Sequence, residues 1–301
     1  MAEFGRVLTA MVTPFDEAGR VDYARAKELA LALIDSGTEG LVVSGTTGEG
    51  PTLTSEEKLR LFREVRGAIG SRATIVAGTT NYNTAESIEL SREAAREGVD
   101  GILGTVPYYN KPPQQGLYAH FKAITEAVDL PIILYNVPPR TATNMLPETT
   151  IRLSEIENIL GIKEASGNLD AVAQIIEESR DGFRVWSGDD VSTLPILSLG
   201  GYGIVSVASH LVGRQIQEMI EHHLDGRPGQ AAAIHRRLRP FFNALFVTTN
   251  PIPVKYALGR VGFPVGRPRL PLVEVDEKSA AVIDAQLERT RIDLPVPSLT
   301  R

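Results

Sequence analysis

The sequence predicts an α/β protein, a (β/α)₈ TIM barrel with a C-terminal helical extension. Between residues 8 and 207, short apolar runs rich in Val and Ile alternate with turns and helical patterns, which is typical of repeated βα units. The runs are continuously apolar rather than alternating, so both faces of each strand are expected to be buried in a parallel sheet. Eight such runs are present, the number with which a barrel of this kind closes.

The predicted strands follow one another at Leu8–Val12, Leu41–Ser44, Ile75–Ala77, Ile102–Val106, Ile132–Tyr135, Gly161–Lys163, Val185–Ser187 and Ile204–Val207. Signals for helix starts fall between them and support the alternation. Thr54 and Glu57 form a capping-box pattern, and Asn83 and Glu86 form a similar one. Asn168 precedes another segment with helical apolar periodicity.

The alternative fold is a doubly wound sheet, which usually carries a Gly-rich phosphate-binding sequence after its first strand. Residues 8–14 read LTAMVTP instead, which favours the barrel. Beyond the eighth strand, helical patterns cover about Val212–Leu224 and Gly229–Val247, and more helix follows a break at Asn250–Pro253. We predict a barrel over residues 1–224 and an extension over 225–301 packed on it, because no Ser/Gly-rich linker separates them.

Composition excludes several classes of function. The chain has 43% hydrophobic and 23% charged residues, the balance of a globular protein rather than of a membrane or disordered one. A net charge of -6 without a Lys/Arg cluster makes nucleic acid a poor partner. The absence of Cys excludes disulfides and thiolate chemistry, and the five His show no metal-binding spacing. Met1–Arg6 carries no apolar signal segment, so we expect a cytoplasmic protein.

Active sites of such barrels lie at the C-terminal ends of the strands, so reactive side chains there are candidates. Lys163 ends the sixth predicted strand in apolar surroundings, where burial would lower the pKa of its ammonium group. The neutral amine could then condense with a ketone to an imine, which acidifies the adjacent carbon. Spacing alone is equally compatible with a structural lysine that is salt-bridged or reaches solvent.

Other candidates follow neighbouring predicted strands. Tyr135 could transfer protons or simply pack in the core, and the Ser44–Glu49 loop offers hydroxyls and backbone N–H groups to a small carboxylate. Arg140 could bind a second carboxylate or lie free in a loop. Tyr108 and Tyr109 could pack in a loop or contact another subunit.

Together these segments resemble the dihydrodipicolinate synthase and N-acetylneuraminate lyase superfamily, most closely its synthase branch. The similar motifs occur in order over nearly the whole chain, at Gly45–Glu49, Pro107–Asn110, Tyr135–Pro138, Gly161–Glu164, Ser187–Asp190 and Asn250–Lys255. The resemblance implies a Schiff-base-forming lyase of the lysine and diaminopimelate pathway. In that reaction pyruvate condenses with Lys163, and the enamine attacks the aldehyde of L-aspartate 4-semialdehyde. No metal or organic cofactor is implied.

The resemblance also implies residue roles. The implied catalytic residues are Lys163, Tyr135, Thr46 and Tyr109, the last three forming a proton relay. The implied substrate-binding groups are Thr47 for the pyruvate carboxylate, Arg140 for the semialdehyde carboxylate, and the backbone at Gly188 and Val205. Tyr109 would reach in from a neighbouring subunit, which implies a homo-oligomer, expected to be a tetramer built from tight dimers.

Two alternatives remain at this stage. Sialic acid lyases lack an arginine at the position of Arg140 and tend to have Ser-Thr in place of Thr46-Thr47, so an aldolase for a sugar acid is the less favoured enzyme. A barrel that binds a keto acid without turnover is disfavoured, because Lys163, Tyr135 and Thr46 are all present.

Lysine inhibits some members of the resembled family, and here the match is weaker. Glu86 and Tyr108 match residues of the inhibitor site, whereas the match weakens at its other positions, which are Gly50, Pro51, Ser55, Lys58 and Tyr82. Lysine-sensitive bacterial members tend to have polar residues there, including histidines. A cationic Lys58 would repel a cationic inhibitor, so we expect inhibition by lysine to be weak or absent.

Overall fold

Eight parallel strands close into a barrel in the computed structural model, which describes residues 4–296. The strands are β1 (Val7–Ala10), β2 (Gly40–Val43), β3 (Thr74–Ala77), β4 (Gly101–Thr105), β5 (Ile132–Asn136), β6 (Ile159–Glu164), β7 (Arg184–Ser187) and β8 (Gly203–Ser206). They pair in chain order and β8 pairs with β1. The predicted barrel is therefore confirmed, and all eight predicted strands are present.

Helices connect successive strands and continue after β8. They are α1 (Tyr23–Asp35), α2 (Ser55–Ile69), α3 (Thr84–Arg96), α4 (Gln114–Thr125), α5 (Pro138–Thr141), α6 (Pro147–Ser154), α7 (Leu169–Glu178), α8 (Thr193–Ser198), α9 (Ser209–Leu224), α10 (Pro228–Ala244), α11 (Ile252–Arg260) and α12 (Glu277–Leu287). A 3₁₀ turn covers Gly50–Thr52. None of the helices in residues 4–296 is long and apolar enough to cross a membrane.

The predicted helix starts are mostly correct. Thr54 and Glu57 form a reciprocal capping box at α2, and the side chain of Asn168 caps α7. At α3 the prediction of a similar box is wrong. Asn83 caps the helix, but its own N–H donates to Asn81 Oδ1, and Glu86 accepts from the two asparagine side chains.

Apolar side chains fill the barrel and close its N-terminal end. Leu8, Ile133 and Val205 belong to the buried cluster inside the barrel, separate from the larger cluster between the sheet and the helices. The Trp186 indole extends toward the N-terminal end, where its Nε1 donates to Gly5 O at 3.0 Å. With the interior packed, a substrate can approach only at the C-terminal ends of the strands.

The helices after β8 pack on neighbouring helices without a loose linker. Helix α10 contacts α8 and α9, and α11 contacts α9 and α12. Helix α9 begins at Ser209, just after Val207 and Ala208, whose N–H groups donate to the Asp190 carboxylate, and it is kinked at Val212, where the predicted helix begins. The predicted domain division between residues 224 and 225 stays a prediction.

Candidate active site

Lys163 lies on the inward-facing side of β6, near the C-terminal mouth of the barrel. It is paired in register with Tyr135 on β5 and Trp186 on β7. Its side chain is buried, and Nζ lies 4.0 Å from the centre of the Tyr135 ring. Within the described residues Nζ makes neither a hydrogen bond nor an ion pair, so the salt-bridged alternative does not apply here.

Burial, together with the nearby positive charge of Arg140, lowers the pKa of Lys163 to about 7, although the negative charge of Asp190 partly opposes the shift. A large fraction of the amine is therefore neutral near neutral pH, which is what attack on a ketone requires. Tyr135 contributes its ring face rather than an anion, since its own pKa is raised by burial.

This pKa predicts how Schiff-base formation depends on pH. The neutral fraction of an amine with pKa near 7 rises about tenfold between about pH 6 and about pH 8. We expect the initial rate of imine formation at low pyruvate to rise by that factor and then level off. Rapid mixing with pyruvate, borohydride quenching and mass spectrometry measure it. A rate that keeps climbing beyond about pH 9 would indicate an ordinary solvated lysine.

Tyr135 and Thr46 bring two hydroxyl groups to the same side of the mouth. The phenol is buried, and burial raises its pKa, while Arg140 and the neighbouring Thr46 hydroxyl lower it. The phenol is thus neutral at neutral pH and can donate a proton, with a hydroxyl beside it to pass protons on. Two of the three predicted relay residues are therefore adjacent within one chain.

The loop after β2 presents Thr47 and unpaired backbone N–H groups. Thr47 is buried, and its Oγ1 accepts from Asn250 Nδ2 at 3.0 Å. The N–H groups of residues 45–48 donate to no other atom in the described part of the chain. Free N–H groups and a hydroxyl on one loop can bind a small carboxylate.

Arg140 lies on the short helix α5, immediately after β5. Its guanidinium contacts Asn250 O at 3.4 Å and otherwise has no protein partner among residues 4–296. Several of its donors therefore remain available for a carboxylate at the mouth. Asn250 contacts both Thr47 and Arg140, a link between the two predicted carboxylate-binding residues that sequence reasoning missed.

Gly188 and Val205 border the interior near Lys163. A Cβ at Gly188 would lie 2.7 Å from Ala165 Cβ and 3.2 Å from Lys163 Cγ, so the glycine leaves room for the lysine side chain. The Gly188 N–H donates to Glu164 O at 2.7 Å and extends the pairing of β6 with β7. The Val205 side chain points into the barrel.

Tyr109 is the one predicted relay residue that lies away from this site. Its side chain is 87% exposed, and its backbone has a φ of 70°, unusual for a residue other than glycine. The neighbouring Tyr108 ring instead packs edge-on against Tyr82. One chain alone therefore does not bring Tyr109 to Lys163.

Sequence reasoning also missed Asp190. Its buried carboxylate accepts from Ser206 Oγ at 2.5 Å and from two N–H groups at the end of β8, and burial raises its pKa to about 6. It is the negative charge that partly opposes the lowered pKa of Lys163. The motif contained two adjacent aspartates, and only the fold shows that Asp190 is the buried one.

A cavity of about 710 Å³ extends from the mouth of the barrel toward α2 and α3. Thr46, Val137 and Arg140 line it, as do Lys58 and Glu86 at positions of the predicted inhibitor site. Burial lowers the pKa of Lys58, which forms no ion pair within residues 4–296. Weak or absent inhibition by lysine stays a prediction.

Comparison with known proteins identifies relatives over nearly the whole chain. Residues 3–290 match the model of the dihydrodipicolinate synthetase family. A 4-hydroxy-tetrahydrodipicolinate synthase of Dehalococcoides mccartyi is 58% identical over 296 residues, which are 98% of this chain and 100% of the relative. One from Symbiobacterium thermophilum is 60% identical over 279 residues, which are 92% of this chain and 95% of the relative.

Solved structures agree. DHDPS from Cyanidioschyzon merolae, determined with lysine bound, is 49% identical with a TM-score of 0.94, and the match covers 95% of this chain and 98% of that one. Dihydrodipicolinate synthase from Aquifex aeolicus is 40% identical with a TM-score of 0.93, over 98% and 100% of the two chains. The family predicted from the sequence motifs is confirmed.

Proposed function

The chain belongs to the dihydrodipicolinate synthetase family, and we propose that it is a 4-hydroxy-tetrahydrodipicolinate synthase that joins pyruvate to L-aspartate 4-semialdehyde. The observation that carries the chemical part of this proposal is the buried Lys163 amine, with a pKa of about 7, beside Tyr135 at the barrel mouth. A lysine in that state suits imine formation, and the phenol supplies the protons that imine formation needs.

The reaction starts when neutral Lys163 Nζ attacks the ketone carbon of pyruvate. The carbinolamine takes up a proton through Tyr135 and Thr46 and loses water, leaving an imine. The imine loses a methyl proton to the relay and becomes the enamine, whose carbon attacks the aldehyde carbon; the C–C bond forms as the C=O π bond breaks, and the oxygen takes up a proton to become a hydroxyl group. The amino group of that substrate then attacks the imine carbon, closing the ring and releasing Lys163.

Two sites at the mouth would orient the substrates. One is rich in backbone N–H groups, and the other is cationic. The Thr47 hydroxyl and the free N–H groups of the loop would receive the pyruvate carboxylate, and Arg140 would receive the carboxylate of the semialdehyde. The two sites lie on the loops after β2 and β5, and β5 also carries Tyr135, which pairs in register with Lys163 on β6. Asn250 contacts both and would keep their separation constant.

Replacing Arg140 with Ala tests the second of these assignments. Losing a hydrogen-bonded cation partner is worth about 1.5–3 kcal/mol, so KM for the semialdehyde should rise roughly 10- to 150-fold. The pyruvate adduct on Lys163 should still form, although its pH profile should move upward because Arg140 helps to lower the lysine pKa. R140K keeps a positive charge but lacks the planar guanidinium that binds a carboxylate through two hydrogen bonds. Its KM for the semialdehyde should lie between those of the unmodified chain and R140A. An unchanged KM would exclude the assigned role.

Borohydride trapping with pyruvate, read by peptide mass spectrometry, tests the proposed function when combined with a semialdehyde consumption assay. An adduct on Lys163 together with consumption supports the synthase. An adduct without consumption would favour a sugar-acid aldolase, and no adduct at all would favour a binding protein.

The proposal includes a cytoplasmic homo-oligomer, expected to be a tetramer of tight dimers, in which Tyr109 of one subunit completes the relay of the other. Its support is the exposure of the Tyr109 ring on a chain that does not itself bring Tyr109 to Lys163. Mixing inactive K163A and Y109F subunits tests it. If Tyr109 acts across the interface, mixed dimers regain activity at the site that combines Lys163 of one subunit with Tyr109 of the other. No recovery in verified mixed dimers would contradict the proposal.

A further inference from the structure

The loop that would bind pyruvate is attached to the C-terminal helices by a buried ion pair. Lys255 Nζ on α11 donates to Glu49 Oε1 at 2.7 Å, and the two side chains are 2% and 1% exposed. Glu49 directly follows the Thr46–Gly48 segment. The residues joined are 206 positions apart in sequence.

Each partner has further contacts that fix it in place. Glu49 Oε2 accepts from the Arg269 N–H at 2.8 Å, so both carboxylate oxygens are bound by residues that follow the barrel. Lys255 Nζ also donates to Thr13 O at 3.1 Å and to Arg267 O at 3.3 Å, which uses all three of its donors. The ammonium group also lies 4.2 Å from the centre of the Phe15 ring.

The neighbouring backbone is correspondingly constrained. Glu49 has a φ of 55°, in the left-handed region that a residue with a side chain rarely adopts. Its N–H donates to Thr46 O at 3.1 Å, and Thr13 Oγ1 donates to Gly48 O at 2.6 Å. Because such a conformation persists only when its surroundings impose it, the side-chain contacts of Glu49 hold the end of the loop in this shape.

We propose that Glu49 and Lys255 are positioning residues through which α11 sets the backbone of the Thr46–Gly48 loop, and thereby the affinity for pyruvate. The inference rests on the proposed function only in taking pyruvate as the ligand of that loop. A buried ion pair adds little to stability compared with apolar residues of the same shape, so stability alone does not explain this one. An apolar pair of the same shape could not form the directional hydrogen bonds that hold the end of this loop to the residues after the barrel.

The experiment compares E49Q, K255M and the double variant E49Q/K255M with the unmodified chain. The single variants leave one buried group without its charged partner and should lose stability, whereas the double variant removes both charges and should regain part of it. In all three the loop loses its ion pair with α11. We expect the pyruvate concentration for half-maximal trapping on Lys163 to rise about tenfold or more, with a smaller change of kcat at saturating pyruvate.

The matched control is D100N, which breaks the Arg66–Asp100 ion pair near the N-terminal ends of the strands. D100N should lower the free energy of unfolding without changing the pyruvate concentration that gives half-maximal trapping on Lys163. The inference is overturned if folded E49Q and the double variant trap pyruvate with normal half-saturation, or if D100N weakens pyruvate binding as much at equal loss of stability. Failure of the unmodified chain to trap pyruvate would instead contradict the proposed function.

Discussion

Replacing Lys163 with Ala should abolish the borohydride-stable pyruvate adduct and lower kcat on the order of 10³-fold or more. Among the described residues Lys58 also has a pKa that burial lowers, but it lies on α2 and not on the strands that carry Lys163 and Tyr135, so it does not replace the Lys163 amine beside Tyr135. Lys255 is the other fully buried lysine, and its three donors are all engaged with Glu49 and backbone carbonyls. Solvated lysines stay cationic at neutral pH and are poor nucleophiles.

K278A is the matched control for this experiment, because Lys278 is an exposed lysine on α12. It should retain both the adduct and the activity. K163A should also be at least as stable as the unmodified chain near neutral pH, since it removes a buried amine without hydrogen-bond partners. A K163A protein that still gains the mass of reduced pyruvate, or that keeps a tenth of its activity, would contradict the mechanism.

The barrel could be predicted because its information is local. Each strand is a short apolar run buried on both faces, and the capping pair Thr54 and Glu57 marks a helix start within four consecutive positions. Lys163 was a candidate for the same reason, since it ends the predicted apolar run, but spacing alone was equally compatible with a structural lysine. Its pKa, by contrast, depends first on burial in the folded barrel and then on Arg140 and Asp190, which follow β5 and β7.

The supports of the site could not be predicted, because they join residues far apart. Asn250 meets Thr47 across 203 positions, and nothing near either residue signals the contact. The NPIPVK segment was recognised only as a motif, and the role of Lys255 depends on Glu49 lying opposite it in the folded chain. The fold therefore follows from patterns within short segments, whereas the geometry of the site depends on contacts between residues that are far apart in sequence.

Replacing Tyr135 with Phe should separate proton transfer from the other contributions of this side chain. The phenylalanine ring keeps the face that lies 4.0 Å from Lys163 Nζ and fills the same buried space, so only the hydroxyl is lost. Loss of a positioned proton donor typically costs about 10²- to 10⁴-fold, and we expect kcat to fall within that range. The pyruvate adduct should still form, but more slowly, because the carbinolamine then depends on water for its proton.

Tyr202 provides the control, since its hydroxyl donates to Phe4 O at 3.0 Å at the opposite end of the barrel. Y202F and Y135F each lose one tyrosine hydroxyl, so both should unfold within roughly a few degrees of the unmodified chain. Only Y135F should lose activity. If Y135F and Y202F both kept the kcat of the unmodified chain, Tyr135 would serve only as a ring that packs against Lys163. The protons for imine formation would then have to come from Thr46 or from solvent.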